Sequence, residues 1–129
     1  MNQNHVKMLR AMEDASGGDW IQDLLEVKPG ICVLWEEDSE PEFFNLEDAM
    51  AWTKEELRAN HGGGLIIPSV EDYLGMCRNK DPHTLSYDIA YFAEAEKVRC
   101  MSHETWSEFI LAFVQHEVKS LSWDGEGWR

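Results

Sequence analysis

The sequence predicts an α+β fold: a mainly helical single domain over residues 1–129, with a small β-hairpin or three-stranded sheet. Three observations predict it. Capping residues followed by apolar residues at three- and four-residue spacing recur along most of the chain. One unbroken apolar run, Ile31-Cys32-Val33-Leu34-Trp35, is rich in β-formers and bounded by turn signals. No internal repeat and no long linker divides the 129 residues, a length typical of one domain.

The elements follow in order. Asn4 caps a first helix to about Ala15, with Val6, Met8, Leu9 and Met12 on its apolar side, and Gly17-Gly18 ends it. Asp19 caps a second, short helix through Val27, burying Trp20, Ile21, Leu24 and Leu25, and Pro29-Gly30 stops it. Residues 31–35 form a buried strand, 36–42 a polar turn, and Phe43-Phe44 a brief return strand. Asn45 caps a helix to about Ala59 that buries Leu46, Ala49, Met50, Thr53 and Leu57. Leu65-Ile66-Ile67 is a third strand or a buried connector, and Ser69 caps a helix through Cys77 or Arg78. Residues 84–99 alternate like a strand at first, but the Ala- and Glu-rich stretch 93–97 favours helix. Ser102 caps the last helix, whose stripe is Trp106, Phe109, Ile110, Phe113, Val114 and Val118. Residues 122–129 read as a loop, a flexible tail unless Trp123 and Trp128 fold back.

Composition narrows the function. The chain is 43% hydrophobic, with six Trp, five Phe and three Tyr, which is globular rather than disordered. Twenty-five Asp and Glu against eleven Lys and Arg give a net charge of −14. No segment offers the basic face that displaces counterions from phosphate, so direct binding to nucleic acid or an anionic membrane is not expected. No apolar stretch approaches the ~20 residues of a membrane span, and the N-terminus lacks a leader pattern. Cys32, Cys77 and Cys100 are odd in number and widely spaced, which suggests three free, buried thiols in a reducing, cytoplasmic setting.

Each chemically suggestive motif falls short of a catalytic, metal or cofactor site. His103-Glu104 and His116-Glu117 sit thirteen residues apart, whereas a zinc helix needs its ligands four apart on one face. His61-Gly62-Gly63-Gly64 looks like an oxyanion or phosphate loop without the nucleophile elbow, or the Lys-Ser/Thr and leading strand, that either needs. Asp88, Glu94, Glu96 and Glu104 match no defined ligand set for two-metal chemistry. Asp38, Glu40 and Glu42 have the rhythm of a calcium loop, but Phe43 occupies the glycine position and Pro41 interrupts it. Cys100 with His103 at a helix start has the outline of a nucleophile, yet no third residue orients the pair. The expectation is therefore no enzyme, no cofactor and no metal.

The most informative feature is acidic. Residues 36–48 hold seven Asp and Glu and no Lys or Arg, interleaved with Phe43 and Phe44 and preceded by Trp35. Carboxylates steer a basic partner and an aromatic anchors it. Glu36, Glu37, Asp38, Glu40, Glu42, Phe43 and Phe44 are the expected partner-binding residues. The function they suggest is a small acidic inhibitor that blocks a basic, nucleic-acid-binding surface of another protein. Phage-encoded anti-CRISPR and anti-restriction proteins act in this way, and immunity proteins against nuclease toxins are a close alternative. A small metal- or thiol-dependent enzyme and a scaffold subunit are the other classes.

Overall fold

The computed structural model describes residues 3–16, 18–35, 40–59, 64–77, 80–101, 103 and 105–129. It is mainly helical with one small antiparallel sheet, the α+β class expected from the sequence. The chain forms two compact units, Asp19–Pro68 and a second made of Asn2–Gly18 with Ser69–Arg129.

After α1 (Gln3–Arg10), which belongs to the other unit, Asp19–Pro68 contains α2 (Trp20–Leu24, capped by Asp19), β1 (Cys32–Leu34), β2 (Glu42–Phe43), α3 (Leu46–Ala51), α4 (Lys54–Ala59) and β3 (Leu65–Ile67). The sheet order is β2-β1-β3, antiparallel throughout, with Cys32 opposite Phe43 and Ile67, and Val33 opposite Glu42 and Ile66. Gly30, at φ +94°, starts the hairpin: its N–H donates to the Phe44 carbonyl at 2.7 Å, in a backbone conformation that disfavours residues with a Cβ. Val33, Phe44, Leu57 and Ile66 form the core of this unit, and Trp35 and Trp52 pack against it. Gly64 touches the same core so closely that a Cβ there would lie 2.7 Å from the Leu57 carbonyl oxygen.

The free edge of β3 is closed by a side chain. Gln22 is buried, donates through Nε2 to the Ile66 carbonyl at 2.7 Å and accepts from the Ile66 N–H at 3.1 Å. One amide thus replaces a neighbouring strand. Gln22→Leu should therefore cost about 2 kcal/mol, because it strands a buried donor and a buried acceptor together. Urea unfolding of the two proteins checks this, and equal midpoints would refute the role.

Two boundaries differ from expectation. α2 ends at Leu24 rather than Val27, leaving Leu24 about half exposed. The helix expected over 45–59 is two helices broken at Trp52-Thr53. The cause is a second capping box: Thr53 Oγ1 accepts from the Glu56 N–H, and Glu56 accepts from the Thr53 N–H. The break leaves α3 with no buried residue, so Leu46 and Met50 stand outside the core that the sequence assigned them to.

The second unit contains α1, a 3₁₀ turn (Ala11–Asp14), α5 (Val70–Gly75), α6 (Pro82–Val98) and α7 (Trp106–Lys119). α1 begins at Gln3, so Asn4 lies within its first turn rather than capping it, and its amide donates to Glu108. α7 packs on α5 and α1. Its inward residues are Ile110, Leu111, Phe113 and Val114, and they meet a core containing Met8, Leu9, Met12 and Tyr73. Thr105, not Ser102, caps α7 through a capping box with Glu108; Ser102 lies outside the described residues. The stripe is correspondingly shorter than expected, since Trp106 and Val118 are exposed.

α6 resolves the ambiguity of residues 84–99 as helix. Asp81 caps it and Pro82 occupies its first position, where a missing N–H costs nothing. Lys80 pins it by ion pairs to Asp88 and, at 2.7 Å, to Glu117. In the tail, Trp123 and Trp128 fold back and pair as a one-bridge hairpin around the Asp124–Gly127 turn. Both rings are buried 5.1 Å apart, and the Trp128 indole N–H donates to the Met8 carbonyl at 3.0 Å.

Candidate acidic docking surface

The acidity is concentrated in Asp19–Pro68, which carries twelve Asp and Glu against three Lys and Arg, a net of −9. Two of its three cations are already engaged. Lys54 donates to the Asp23 carbonyl at 2.5 Å, and Arg58 pairs with Asp23 at 2.9 Å. Few positive charges therefore offset the carboxylates around β2 and α3.

Of the seven expected partner-binding residues, Glu36, Glu37 and Asp38 lie outside the described residues. Glu40 and Glu42 are exposed. Glu42 accepts a 2.8 Å hydrogen bond from the Trp35 indole N–H, which ties the first acid of β2 to the end of β1. The two phenylalanines separate, as alternation along a strand requires. Phe43 is 72% exposed, whereas Phe44 is 3% exposed and belongs to the core. Phe44 is thus a structural residue and not a contact residue. Its ring lies 6.1 Å from that of Trp35, which in turn lies 4.9 Å from Trp52.

Two residues join the surface that sequence reasoning had placed inside. Leu46 is 63% and Met50 79% exposed. They are four apart on α3, hence on one face of it. The Asn45 capping box, closed by Asp48 at 2.9 and 3.0 Å, fixes where that helix starts. The signal that could have found them is Thr53-Lys54-Glu55-Glu56, a helix-start pattern in the middle of the expected helix.

The other motifs do not assemble. Asp88 pairs with Lys80, Glu94 with Lys97 at 3.6 Å, and Glu96 with Arg99 and His103, while Glu104 lies outside the described residues. Among the described residues no three His, Cys, Asp or Glu side chains lie together as metal ligands would. His103 precedes α7 and His116 lies on it, and each stacks near a different phenylalanine, Phe109 and Phe92. His61, Gly62 and Gly63 are not described, and Gly64 has a packing role.

The three cysteines are free but not equally buried. Cys77 is buried, Cys32 half-buried and Cys100 exposed. Burial pushes the Cys77 thiol up, and the neighbouring Glu117 carboxylate adds to the effect. Cys100 follows the C-terminus of α6 in a left-handed conformation, φ +57°. It therefore sits at the carbonyl end of α6 and not at the start of a helix, where the sequence reading had placed it.

Among the described residues no helix is long and apolar enough to cross a membrane. Comparison of the chain with protein-family models, curated proteins and solved structures yields no match.

Proposed function

We propose that this protein is an acidic binding protein that occupies a basic, nucleic-acid-binding surface of another protein and thereby blocks it. One observation carries the reading. Phe43, Leu46 and Met50 stand exposed within eight residues of chain, among the exposed acids Glu40, Glu42 and Glu47. Three large apolar side chains exposed so close together in the chain gain nothing from solvent, whereas a partner's surface can cover them. Aromatic residues and methionine are enriched at the centres of interfaces, and a charged rim steers encounter. A rim of carboxylates selects Lys and Arg, the residues that proteins use to hold phosphate. The inhibitor reading, in a phage-encoded or immunity-protein setting, rests on that complementarity together with the net charge of −14.

The test uses a partner captured from cell lysate at low salt. Saturating it with the protein should abolish its nucleic-acid binding. Replacing Glu36, Glu37, Asp38, Glu40 and Glu42 by Ser should slow association by about tenfold at low salt and flatten its salt dependence. Phe43→Ala and Met50→Ala should instead speed dissociation, each by roughly tenfold or more. A captured protein that still binds nucleic acid when saturated, or that associates with the five-Ser variant at the wild-type rate, would remove the proposal.

A further inference from the structure

A different feature lies in the second unit, on the outer face of α6. Tyr87, Tyr91 and Val98 stand 70%, 76% and 85% exposed there. They are four and seven residues apart, so they share one face of the helix. With Glu94 between Tyr91 and Val98 the steps are four, three and four, the spacing of a seam between two helices. Ala90 and Ala95, also exposed, flank the seam and are small enough to let a second helix approach to the usual spacing of about 8–10 Å. Phe92 and Glu96, on the inward side of α6, are buried, so the seam adds nothing to the core of its own unit. Two tyrosine rings and a valine left in water on one face mark a contact surface.

The charges of α6 select what covers this face. The helix carries Asp88, Glu94, Glu96 and Lys97. Asp88 is held by Lys80 and Glu96 by Arg99, while Glu94 and Lys97 pair with each other at 3.6 Å. The outer face is therefore neutral on a chain of net charge −14. A basic partner finds no field here to steer it. A second copy of the chain, repelled by the acidic regions elsewhere, meets no like charge in excess on this face. The pattern is also complementary to itself, as a two-fold axis requires: the residue that i meets must meet i in return. In an antiparallel pair with Tyr87 opposite Val98, Tyr91 falls opposite Glu94. The tyrosine hydroxyl then donates to a carboxylate across the seam, and a polar pair at one seam position fixes the register.

We infer that the outer face of α6 is the contact surface of a homodimer, in which two copies meet antiparallel along Tyr87, Tyr91, Glu94 and Val98. The surface uses none of the residues of the acidic docking surface and does not depend on its function. Tyr87 and Val98 are eleven residues apart, about 16 Å along a helix, so the contact is short and belongs to the weak class below ~1,200 Å². Association is therefore concentration-dependent, with a dissociation constant on the order of 100 μM. Charge sets its response to salt. Two copies of −14 each repel across the rest of their surfaces, and raising salt from about 0.1 M to about 1 M shortens the screening length from ~10 Å to ~3 Å. The dimer strengthens as salt rises, the opposite of an acidic surface holding a basic partner.

Sedimentation equilibrium of the full chain, from about 20 μM to about 1 mM, should show the average mass rising from that of one chain toward that of two. The dissociation constant should fall by about threefold or more from the lower salt to the higher. Over the same concentrations, heteronuclear NMR shifts should move at Tyr87, Tyr91 and Val98. Tyr91→Glu sets a carboxylate against Glu94 of the partner subunit and should leave the protein monomeric, with an unchanged melting temperature because the side chain is exposed. Tyr91→Ala, a better helix former, serves if the charged variant does not fold, and should weaken the dimer by about tenfold or more. Phe43→Ala and Met50→Ala, which alter the other exposed apolar surface, should self-associate as the wild type does. A monomer at about 1 mM in both salts would overturn the assignment, whatever other molecule α6 then engages. So would a dimer that weakens as salt rises, that survives Tyr91→Glu, or that is lost with Phe43 or Met50.

Discussion

Phe113→Ala should destabilise the protein by about 3–5 kcal/mol, a large part of the ~5–15 kcal/mol that holds an ordinary domain together. Phe113 is fully buried on α7, with the Phe92 ring 5.7 Å away edge to face. Truncation removes the transfer energy of the ring and opens a cavity that α5 and α6 cannot close without losing their own contacts. Phe109, one turn earlier, is the control. It is only half-buried and lines an open cleft beside Ala93, Met101 and Trp106, so Phe109→Ala should cost about 1–2 kcal/mol. Urea unfolding at constant slope measures both. Equal losses in the two variants would show that the inward face of α7 is drawn wrongly.

That contrast bears on how much of the molecule the sequence discloses. Phe109 and Phe113 occupy one stripe at four-residue spacing, and periodicity alone cannot rank them. The rank depends on what lies opposite, which for Phe109 is a cleft. Starts of helices were more legible. Asp19, Asn45 and Ser69 each act as the cap that their neighbours imply. Where the reading missed, a competing cap was present in the sequence: Thr105 with Glu108 in place of Ser102, and Thr53 with Glu56 inside an apparently continuous helix.

Residues 84–92 show the opposite limit. Leu85, Tyr87, Ile89 and Tyr91 alternate, but Tyr87 and Tyr91 face outward on a helix whose inward residues are Phe92 and Glu96. Exposed aromatics blur the period that the pattern relies on. The same difficulty hid Leu46 and Met50, because an apolar side chain that awaits a partner looks like one that awaits a core. The acidic run itself was plain in the sequence, and so was the presence of a hairpin. Which phenylalanine faces out follows only from the register of β2 against β1.

The protein should lose stability on mild acidification through His5. The imidazole is 2% exposed on α1, and its Nε2 lies 2.6 Å from the Tyr73 hydroxyl. Burial lowers its pKa from 6.5 to about 4, against the pull of the nearby Glu108 carboxylate. Unfolded chains therefore bind a proton at pH values where the folded protein does not. The sign follows: the stabilising contribution of neutral His5 is complete above the unfolded value of 6.5 and is lost as pH falls toward 4. At 1.36 kcal/mol per unit, the loss reaches about 2 kcal/mol at pH 5 and about 3 kcal/mol at pH 4. His5→Gln keeps an amide beside Tyr73 and cannot titrate, so its profile should stay flatter between pH 7 and pH 5. The carboxylates are the same in both proteins and drop out of the difference. Denaturant midpoints of the two proteins at half-unit steps from pH 8 to pH 4.5 make the comparison. Parallel profiles across that range would mean that the His5 ring takes up its proton in the folded state as readily as in the unfolded one.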